Sequence, residues 1–497
     1  MTASPRPRAL RAPRARRDSV AELPADFTAR QTLTRAQYAT LGAVAVVIGL
    51  SAVVAPITTA IALIGLATLL YTAALVYRLE AYWLALRNPR VATVTDAEAR
   101  SIPDADLPVY TVLVPAYHEP TVIGALILRL SQLEYPKDKL DIRLLLEEDD
   151  QETIAAASAA RPGPQFTVVR VPHSLPRTKP KACNYGLKDA RGEFLTIYDA
   201  EDRPEPLQLR RAVFAFGRVG SEVACLQAKL AYHNAEQNLL TAWFTIEYAM
   251  WFSFLLPGLV AQRGPLPLGG TSNHFRGDVL RAVGGWDPYN VTEDADLGIR
   301  LARLGYETQV LDSTTQEEAN SDVINWVKQR SRWYKGYLQT WLVHIRHPMT
   351  LRRQLGWRGF IGFNLFVAGT PVLSLINPGF WILTLLWFTV HPAVILVLFP
   401  AWLYYLGLAV MVVGNFSLFY TWLVTARITG SRKLVFASLL VPLYWALMSL
   451  AGIKALVQLI SAPSFWEKTV HGLDGSPVHQ AGRGMPGDAL AAPDQPA

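Results

Sequence analysis

Hydrophobic and polar positions divide the chain into an apolar N-terminal part, a polar middle and an apolar C-terminal part. Residues 39–76 carry no charged side chain, and Pro56 lies near the middle of this run. A membrane-spanning helix needs about 20 apolar residues, so the run is long enough for two helices with a tight turn near Pro56. Apolar segments return at residues 360–378, 379–400, 402–425 and 434–461. The pattern predicts an α-helical membrane bundle on both sides of a polar domain.

Residues 100–325 show alternating strand and helix patterns. "VYTVLVPAY" and "KLDIRLLLEEDD" are short β-rich runs, "TVIGALILRLSQL" between them has helical apolar spacing, and "EFLTIYDAEDRPEP" is a further strand that ends in acids. A repeated strand, helix, strand order predicts an α/β domain with a Rossmann-like, mostly parallel sheet. Ligands of such sheets bind at the carboxyl ends of the strands. The acidic clusters stand at the places where that rule predicts a site.

These patterns predict six consecutive regions. They are a disordered basic arm (1–30), two transmembrane helices (31–83), the cytoplasmic α/β domain (100–325), amphipathic interfacial helices (326–358), three or four transmembrane helices (359–461) and a mostly disordered tail (462–497). Four crossings in the fifth region would leave the tail inside but place "RITGSRK" outside, against the tendency of basic loops to stay in the cytoplasm. Three crossings would reverse both positions. Four is the preferred reading.

Composition and charge support a membrane protein with a cytoplasmic domain. Hydrophobic residues make up 51% of the 497 residues and charged residues 18%, and the formal net charge is +7. Much of the positive excess lies in "RPRALRAPRARR", ahead of the first apolar run, so we expect this flank in the cytoplasm. The arm lacks a companion motif for nucleic acid, and no nucleic-acid partner is expected. Cys183 and Cys225 form no C-x-x-C pair, so neither a disulfide framework nor a zinc site is expected.

Four clusters in the polar region contain residues suited to catalysis. "LLLEEDD" and "IYDAED" each follow a predicted strand, and carboxylates two positions apart, as in the second, can share a Mg²⁺ or Mn²⁺ ion that also holds a phosphate. "TEDADL" opens a helix with Glu293 and Asp294, and "QRSRW" places Gln329, Arg332 and Trp333 on one helix face. Each cluster also has a structural explanation: a solvated turn, an acidic first helical turn or membrane-surface packing. The order of the four clusters along the chain favours the functional explanation over the structural ones.

In sequence, "VLVPAYHEP", "KACN", "DAED", "TED" and "QRSRW" followed by apolar helices resemble the membrane-embedded processive family 2 glycosyltransferases, the group of cellulose, curdlan and hyaluronan synthases. The resemblance covers roughly residues 80–345. It implies a GT-A domain that polymerises a β-linked polysaccharide, a β-glucan from UDP-glucose, at the cytoplasmic face and moves it across the bilayer. The implied partners are a UDP-sugar, the growing polysaccharide, the lipid bilayer and export proteins, and the implied cofactor is Mg²⁺ or Mn²⁺.

The resemblance also implies roles for donor-side residues. Tyr117 and Glu119 would border the nucleobase, with Asp149 or its neighbour Glu148 completing the uridine pocket. Lys181 would lie near the diphosphate, and Gln329, Arg330 and Arg332 would face the leaving nucleotide. Asp199 and Glu201 would hold the metal, but the usual D-x-D pattern has Glu at its second acid here, so Asp202 is the alternative to Glu201.

On the acceptor side the resemblance implies a base and a stacking surface. Asp294 would be the general base, with Glu293 beside it at the catalytic and acceptor positions. Trp333 would stack on the acceptor sugar, and Thr271 and Ser272 of "GGTSNHF" would line the acceptor site. A single displacement needs no nucleophilic carboxylate, so the anomeric configuration should invert.

Two alternative functions stay open at this stage. One is the transfer of a single sugar to a lipid or short acceptor, which needs no channel. The other is an inactive structural partner in a polysaccharide export complex. The acids expected of an active enzyme are mostly present, which favours an enzyme.

Overall fold

The computed structural model describes residues 21–463 and 465–467. One nine-stranded sheet forms the centre of the polar domain. Its strands are β1 (Val91–Ala92), β2 (Tyr110–Ala116), β3 (Leu140–Glu147), β4 (Phe166–Val171), β5 (Phe194–Ile197), β6 (Arg203–Pro204), β7 (Val223–Tyr232), β8 (Asn273–Arg276) and β9 (Glu307–Glu317). The sheet order is β1-β9-β7-β8-β5-β2-β3-β4, and β6 pairs with β9.

The polar domain also contains nine α-helices among the described residues. They are α3 (Asp96–Arg100), α4 (Ile123–Leu130), α5 (Gln151–Ala159), α6 (Lys179–Lys188), α7 (Gln208–Arg218), α8 (Leu239–Met250), α9 (Leu256–Ala261), α10 (Gly277–Ala282) and α11 (Glu293–Arg303). The flanking helices are α1 (Arg35–Val54), α2 (Pro56–Arg87), α12 (Val323–His344), α13 (Pro348–Phe363), α14 (Gly369–Thr389), α15 (Ala393–Leu398), α16 (Ala401–Ala409), α17 (Asn415–Ile428), α18 (Arg432–Leu439) and α19 (Val441–Ser461).

The sheet confirms the predicted GT-A type α/β fold. Strands β2, β3, β4 and β5 pair in parallel, β7 and β9 pair in parallel, and β8 joins the two groups by antiparallel pairing with β5 and β7. Alternate residues of a strand face opposite sides of the sheet. Leu113 and Leu145 accordingly pack in one apolar cluster, whereas Val112 and Leu144 pack in another. Both faces are therefore covered, as expected for a mostly parallel sheet.

The N-terminal hairpin follows the predicted pattern. Helix α1 ends at Val54 and α2 begins at Pro56, so Ala55 alone forms the connection. Proline suits the first position of a helix because the nitrogen there needs no hydrogen-bond donor. The residues before the hairpin differ from expectation: residues 21–30 of the predicted disordered arm pack on the domain. Ala29 N donates to the buried Asp287 Oδ2 at 2.6 Å, which gives a buried carboxylate a donor. Residues 1–20 of that arm lie outside the described part of the chain.

Six helical stretches in the described residues are long and apolar enough to cross a membrane. Two are α1 and α2, and three follow the domain at Pro348–Thr389, Ala401–Ile428 and Val441–Ser461. The predicted segments 360–378 and 379–400 are thus mostly one continuous stretch, which favours three such helices over four in this region. The sixth stretch, Leu239–Ala261, lies inside the region expected to be polar. It contains α8 and α9 and packs between the domain and α2.

Helix α12 lies between the domain and the apolar helices and is mostly buried, rather than amphipathic at a surface. Trp326 is fully buried, and Trp341 Nε1 donates to Asn364 Oδ1 at 2.9 Å. Both ends of α19 contact α12. Arg330 Nη2 donates to Tyr444 OH at 3.2 Å near the start of α19, and Gln339 Nε2 donates to the Pro463 carbonyl at 2.8 Å just beyond its end.

The connection between α17 and α18 lies against the domain. Ser431 Oγ donates to Glu236 Oε1 at 2.5 Å, and Lys433 pairs with the same carboxylate at 3.0 Å. The loop "RITGSRK" is therefore on the same side as the α/β domain, as in the three-crossing alternative. Residues 462, 463 and 465–467 of the predicted disordered tail pack on α12, and residues 468–497 lie outside the described part.

Candidate active site

One cavity of about 1080 Å³ runs along the carboxyl ends of the central strands and continues between the apolar helices. The end of β3 and residues after β2 and β5 line it, as the sheet rule predicts. On the domain side, the predicted site residues that line it are Tyr117, Glu119, Asp199, Glu201, Thr271, Glu293, Asp294, Gln329, Arg330, Arg332 and Trp333. The predicted residues Glu148, Asp149, Lys181, Asp202 and Ser272 are not part of its lining.

The alternative between Asp149 and Glu148 is distinguished by Arg177, which the sequence analysis did not single out. Arg177 Nη1 donates to Tyr117 OH at 2.6 Å, and its Nη2 donates to Asp149 Oδ2 at 2.9 Å. Glu148 instead accepts the backbone N–H of His173 at 2.8 Å and is exposed. Asp149 therefore reaches the cavity through Arg177 and Tyr117, whereas Glu148 faces away from it.

The lysine in the cavity is Lys179 rather than the predicted Lys181. Lys181 Nζ is held by Glu147 Oε2 at 3.0 Å and by the Pro172 carbonyl at 2.8 Å, behind the cavity wall. Lys179 Nζ donates to Asp199 and, at 2.8 Å, to the Gly270 carbonyl. Burial lowers the pKa of Lys179, but the carboxylates of Asp199 and Glu293 outweigh burial and hold the pKa above its ordinary value. A cation is therefore fixed beside the acids that follow β5. The two lysines lie two positions apart, and only the helix geometry separates them.

Several further carboxylates lie near Lys179. Asp199, Glu201 and Glu317 line the cavity. Burial raises the pKa of Glu317 well above its ordinary value, and the charges of Asp202, Glu201 and Asp199 add to the shift. Asp202 is fully buried, accepts the Asp199 N–H at 2.8 Å and the Thr271 hydroxyl, and its Oδ1 has no partner among the described residues.

This donor set fits a divalent cation that is shared with a substrate. Within residues 21–463 and 465–467, no group of three His, Cys, Asp or Glu side chains could hold a metal on its own. Mg²⁺ is commonly bound by one or two carboxylates together with substrate phosphates. Asp199 and Glu201 can supply these carboxylates from the cavity wall, whereas Asp202 is engaged in holding the turn. The arrangement therefore needs phosphate oxygens to complete a metal site.

Glu293 and Asp294 lie at the start of α11, facing the cavity. Burial, together with the charge of Asp294, raises the pKa of Glu293 to about 8, and Glu293 Oε2 is buried without a partner among the described residues. Burial also raises the pKa of Asp294, but the Ala295 N–H, which Asp294 Oδ1 accepts at 2.7 Å, opposes this effect. The two carboxyls are coupled, and this N–H favours the charged form on Asp294. Asp294 can therefore accept a proton while Glu293 keeps one.

Helix α12 is fixed against α11 by several hydrogen bonds. Asn290 Nδ2 donates to Thr340 Oγ1 at 3.0 Å. Arg303 donates to His344 Nδ1 at 2.8 Å. Because arginine can only donate, Nε2 of a neutral His344 carries the ring proton. Nε2 donates to the buried Asp296 at 2.9 Å. The carboxylates at the start of α11 and the "QRSRW" residues on α12 are thus held in a fixed relation.

The "QRSRW" side chains have different environments. Arg330 lines the cavity and forms an ion pair with Glu247 of α8 at 3.0 Å, so its charge is already neutralised. Its contact with the nucleotide remains a prediction. Burial lowers the pKa of Arg332, opposed by Glu293, Asp294 and Asp199, and its Nε has no partner among the described residues. Arg332 therefore lies near Glu293 and Asp294, and the ring of Trp466 lies 4.6 Å from its guanidinium.

Of the residues predicted to lie on the acceptor side, some line the cavity and one does not. Trp333 lines the cavity, with the rings of Phe244 and Tyr248 within 5.8 and 6.2 Å. Thr271 also lines it. Ser272 does not, because it is fully buried and its hydroxyl donates to Thr315 Oγ1 at 2.7 Å on β9. The loop therefore presents Thr271 and the adjacent glycines to the cavity.

The profile of the family described as "Glycosyltransferase like family 2" matches residues 108–336. This segment extends from the start of β2 into α12 and includes the strands, the acids and the "QRSRW" residues described above. This segment is therefore similar to family 2 glycosyltransferases. The remaining helices of the chain lie outside the match.

Several known proteins are similar to the chain. It is 27% identical over 253 residues to the probable glycosyltransferase YdaM of Bacillus subtilis, over 50% of this chain and 60% of that protein. It is 27% identical over 304 residues to beta-monoglucosyldiacylglycerol synthase of Synechocystis, over 59% of this chain and 63% of that protein. The chain thus spans about 60% of the length of these curated relatives. A mannosyltransferase from Pyrobaculum calidifontis, solved in complex with GDP-Man and Mn²⁺, is 18% identical with a TM-score of 0.49, covering 80% of this chain and 99% of that one.

Proposed function

We propose that the chain is an inverting, metal-dependent glycosyltransferase that moves a sugar from a nucleotide diphosphate sugar to the hydroxyl of a membrane lipid. One observation carries this proposal. The cavity that holds Asp199 and Asp294 continues without a break into the space between α2, α14, α16 and α17. Donor and acceptor can therefore enter the same site from water and from the membrane.

The donor would bind along the carboxyl ends of β2, β3 and β5. Tyr117, with Arg177 and Asp149 behind it, would border the nucleobase, and Glu119 would lie beside it. Lys179 and Arg332 are the cations that face the diphosphate. A divalent ion held by Asp199 and Glu201 would, when bound, offset charge on the diphosphate.

Asp294 would act as the general base. It takes the proton from the acceptor hydroxyl while that oxygen forms a bond to the anomeric carbon and the bond from this carbon to the diphosphate oxygen breaks. The electron pair leaves with the nucleoside diphosphate, whose developing charge meets Lys179 and Arg332. The attack comes from the face opposite the leaving group, so the configuration inverts. Glu293, held protonated beside Asp294, can donate a hydrogen bond within the site.

Hydrogen bonding inside the membrane part of the cavity supports a lipid acceptor. Lining residues numbered from 366 to 448 include no charged side chain. Several of their polar groups already have partners: Thr370, Thr384 and Asn415 bond to carbonyls one turn earlier in their own helices, and the Tyr71 hydroxyl bonds to Asn377. A sugar polymer would lose water here and find few polar side chains to replace it, which is costly. Acyl chains need none.

Processive synthesis of a β-glucan from UDP-glucose, with export across the bilayer, is the second candidate. The observation that favours it is the row of aromatic side chains along the cavity, including Trp381, Trp387, Trp422 and Trp445, because flat rings can stack on sugars. Export partners would be needed only for this candidate. An inactive structural partner is the third and is disfavoured by the intact carboxylates.

We place the domain on the cytoplasmic side of a bacterial inner membrane. Arg78, Arg87 and Arg90 follow the apolar part of α2, and the basic loop at residues 427–433 lies on the same side. Basic flanks of this kind stay in the cytoplasm. This orientation gives the site access to cytoplasmic nucleotide sugars.

The test uses full-length protein in liposomes that contain dioleoylglycerol, with radiolabelled UDP-glucose and GDP-mannose and with Mg²⁺ or Mn²⁺. We expect label in the organic phase as a single glycolipid with the anomeric configuration opposite to that of the donor. Ethanol-insoluble label that a β-glucanase releases would favour the processive candidate instead. Asp294→Asn protein provides the control, and turnover equal to wild type would refute the assigned base.

A further inference from the structure

Arg78 faces the cavity from α2. Thr68, Tyr71, Leu75, Arg78 and Tyr82 are spaced three or four positions apart and all line the cavity, so they form one face of the helix. Val76 and Trp83, by contrast, are 60% and 56% exposed on the outside. The guanidinium therefore belongs to the cavity wall and not to the outer surface of the bundle.

The charge near Arg78 is not balanced. The neighbouring cation, Arg330, is paired with Glu247 at 3.0 Å, and Tyr444 OH donates to the same carboxylate at 2.6 Å. Tyr334 lies close enough to Arg330, Glu247 and Arg78 for the charges of all three to act on it. Across residues 21–463 and 465–467, the Arg78 guanidinium makes no hydrogen bond or ion pair. This cluster of two arginines and one glutamate thus leaves one positive charge facing the cavity.

Arg78 also lies at a defined depth. It is 22 positions beyond Pro56, or about 33 Å along the helix axis. The hydrocarbon core is about 30 Å thick. In a helix that crosses the bilayer along its normal from Pro56, Arg78 would be level with the lipid headgroups on the side of the α/β domain.

We propose that Arg78 binds a phosphate group on the headgroup of the lipid that occupies the cavity. Guanidinium matches phosphate with two parallel hydrogen bonds, and an unpaired cation beside an apolar space fits an anionic headgroup joined to hydrocarbon chains. The phosphate could belong to a phospholipid or to an isoprenoid phosphate. This inference rests on the proposed function only for the entry of lipids into the cavity; the phosphate-bearing lipid is not required to be the acceptor, and the binding itself requires no turnover.

A lipid-retention experiment tests the inference separately from catalysis. Full-length protein in detergent is incubated with dioleoylphosphatidate, undecaprenyl phosphate or dioleoylglycerol, and the lipid retained is measured by native mass spectrometry. Dioleoylglycerol has the same chains as dioleoylphosphatidate but no phosphate. Glycerol 3-phosphate tests the headgroup alone, and UDP binding with thermal unfolding reports on the fold of each variant.

We expect at least one phosphate-bearing lipid to be retained about tenfold better than dioleoylglycerol, as the loss of a charge-assisted hydrogen bond implies. Whether it is the phosphatidate or the isoprenoid identifies the source. Arg78→Gln should remove the preference and Arg78→Lys should reduce it, with UDP binding unchanged. Arg87→Gln is the matched control, because Arg87 ends the same helix and stacks on Trp83 at 4.2 Å, and it should keep the preference.

Four results would overturn the inference. They are equal retention of phosphatidate, undecaprenyl phosphate and dioleoylglycerol by the wild type, an unchanged preference in Arg78→Gln, an equal loss in Arg87→Gln, and glycerol 3-phosphate binding as well as the lipids. The wild-type comparison stands even if Arg78→Gln fails to fold. Selective lipid retention without sugar transfer in liposomes would instead refute the proposed function and leave the Arg78 site intact.

Discussion

Gly336 on α12 lies directly against the start of the catalytic helix, and replacing it with alanine should move that helix. A Cβ at position 336 would lie 2.3 Å from Thr292 Oγ1, 2.4 Å from Thr292 Cγ2 and 2.7 Å from Thr292 Cβ. All three distances are shorter than a carbon contact allows, and Thr292 immediately precedes Glu293 and Asp294. Overpacking of this kind costs about 1–3 kcal/mol. Alanine also gains about 1 kcal/mol of helix propensity over glycine, which partly hides that cost.

Gly217→Ala supplies the matched control for this gain. Gly217 lies in α7 of the same domain, and a Cβ there would meet nothing within 4 Å. Both variants gain similar propensity, so their difference isolates the clash: Gly336→Ala should be less stable than Gly217→Ala by about 1–3 kcal/mol. Its thermal unfolding midpoint should be correspondingly lower.

Activity should respond more strongly than stability. A displacement of about 1 Å at a catalytic group can cost about 100-fold in rate, so kcat of Gly336→Ala should fall while UDP binding remains. The double variant with Thr292→Gly should recover part of both losses, because it removes all three close atoms. If Gly336→Ala matched Gly217→Ala in midpoint and in kcat, the close packing of α12 on α11 would not matter to the site.

Four further outcomes are expected. Asp294→Asn should lower kcat by at least about 100-fold with UDP affinity retained, measured by nucleotide release; a small change would exclude it as base. The pKa of Glu293 is raised to about 8 by burial and by Asp294, so the stability that its proton contributes is present below about pH 4.5 and is lost as pH rises through about 8. Glu293→Gln should therefore flatten the fall in unfolding midpoint between these values, and an identical profile would contradict the burial of that charge. EDTA should abolish transfer and either Mg²⁺ or Mn²⁺ should restore it, whereas activity in chelator would argue against the metal. Pro463→Cys should react with impermeant thiol reagents from the cytoplasmic face, because both ends of α19 contact α12; labelling from the opposite face would mean that α19 crosses.

The strand pattern and the order of the acidic clusters were enough to predict the α/β domain and the edge of the sheet where the site lies. β2, β3 and β5 each appear in the sequence as an apolar run that ends in polar residues, and the carboxyl ends of parallel strands meet at one edge. Periodicity could not separate Lys179 from Lys181, since both lie in the first turn of α6. Only the packing of α6 against β3 sends Lys181 to Glu147 and Lys179 to Asp199.

Contacts between residues far apart in the chain account for the other differences between the sequence-based predictions and the structure. Glu247 stands within an apolar run that gives no sign of its partner Arg330, 83 positions away, so the neutralisation of that arginine could not be predicted. Residues 239–261 contain enough apolar positions for a span but are largely buried against the domain, a use that hydropathy alone does not distinguish from a membrane crossing. The same limit applies to α19, whose composition suits a span.

Helix α12 shows why the membrane-surface and catalytic interpretations of "QRSRW" are both incomplete. One face of α12 meets α11 through Gly336 and His344, and another meets α19 through Arg330 and Gln339. Arg332 and Trp333 project between these contacts into the cavity. The same helix therefore contacts α11, the apolar helices and the cavity. We expect a displacement of α19 to change the positions of Arg332 and Trp333 relative to Asp294.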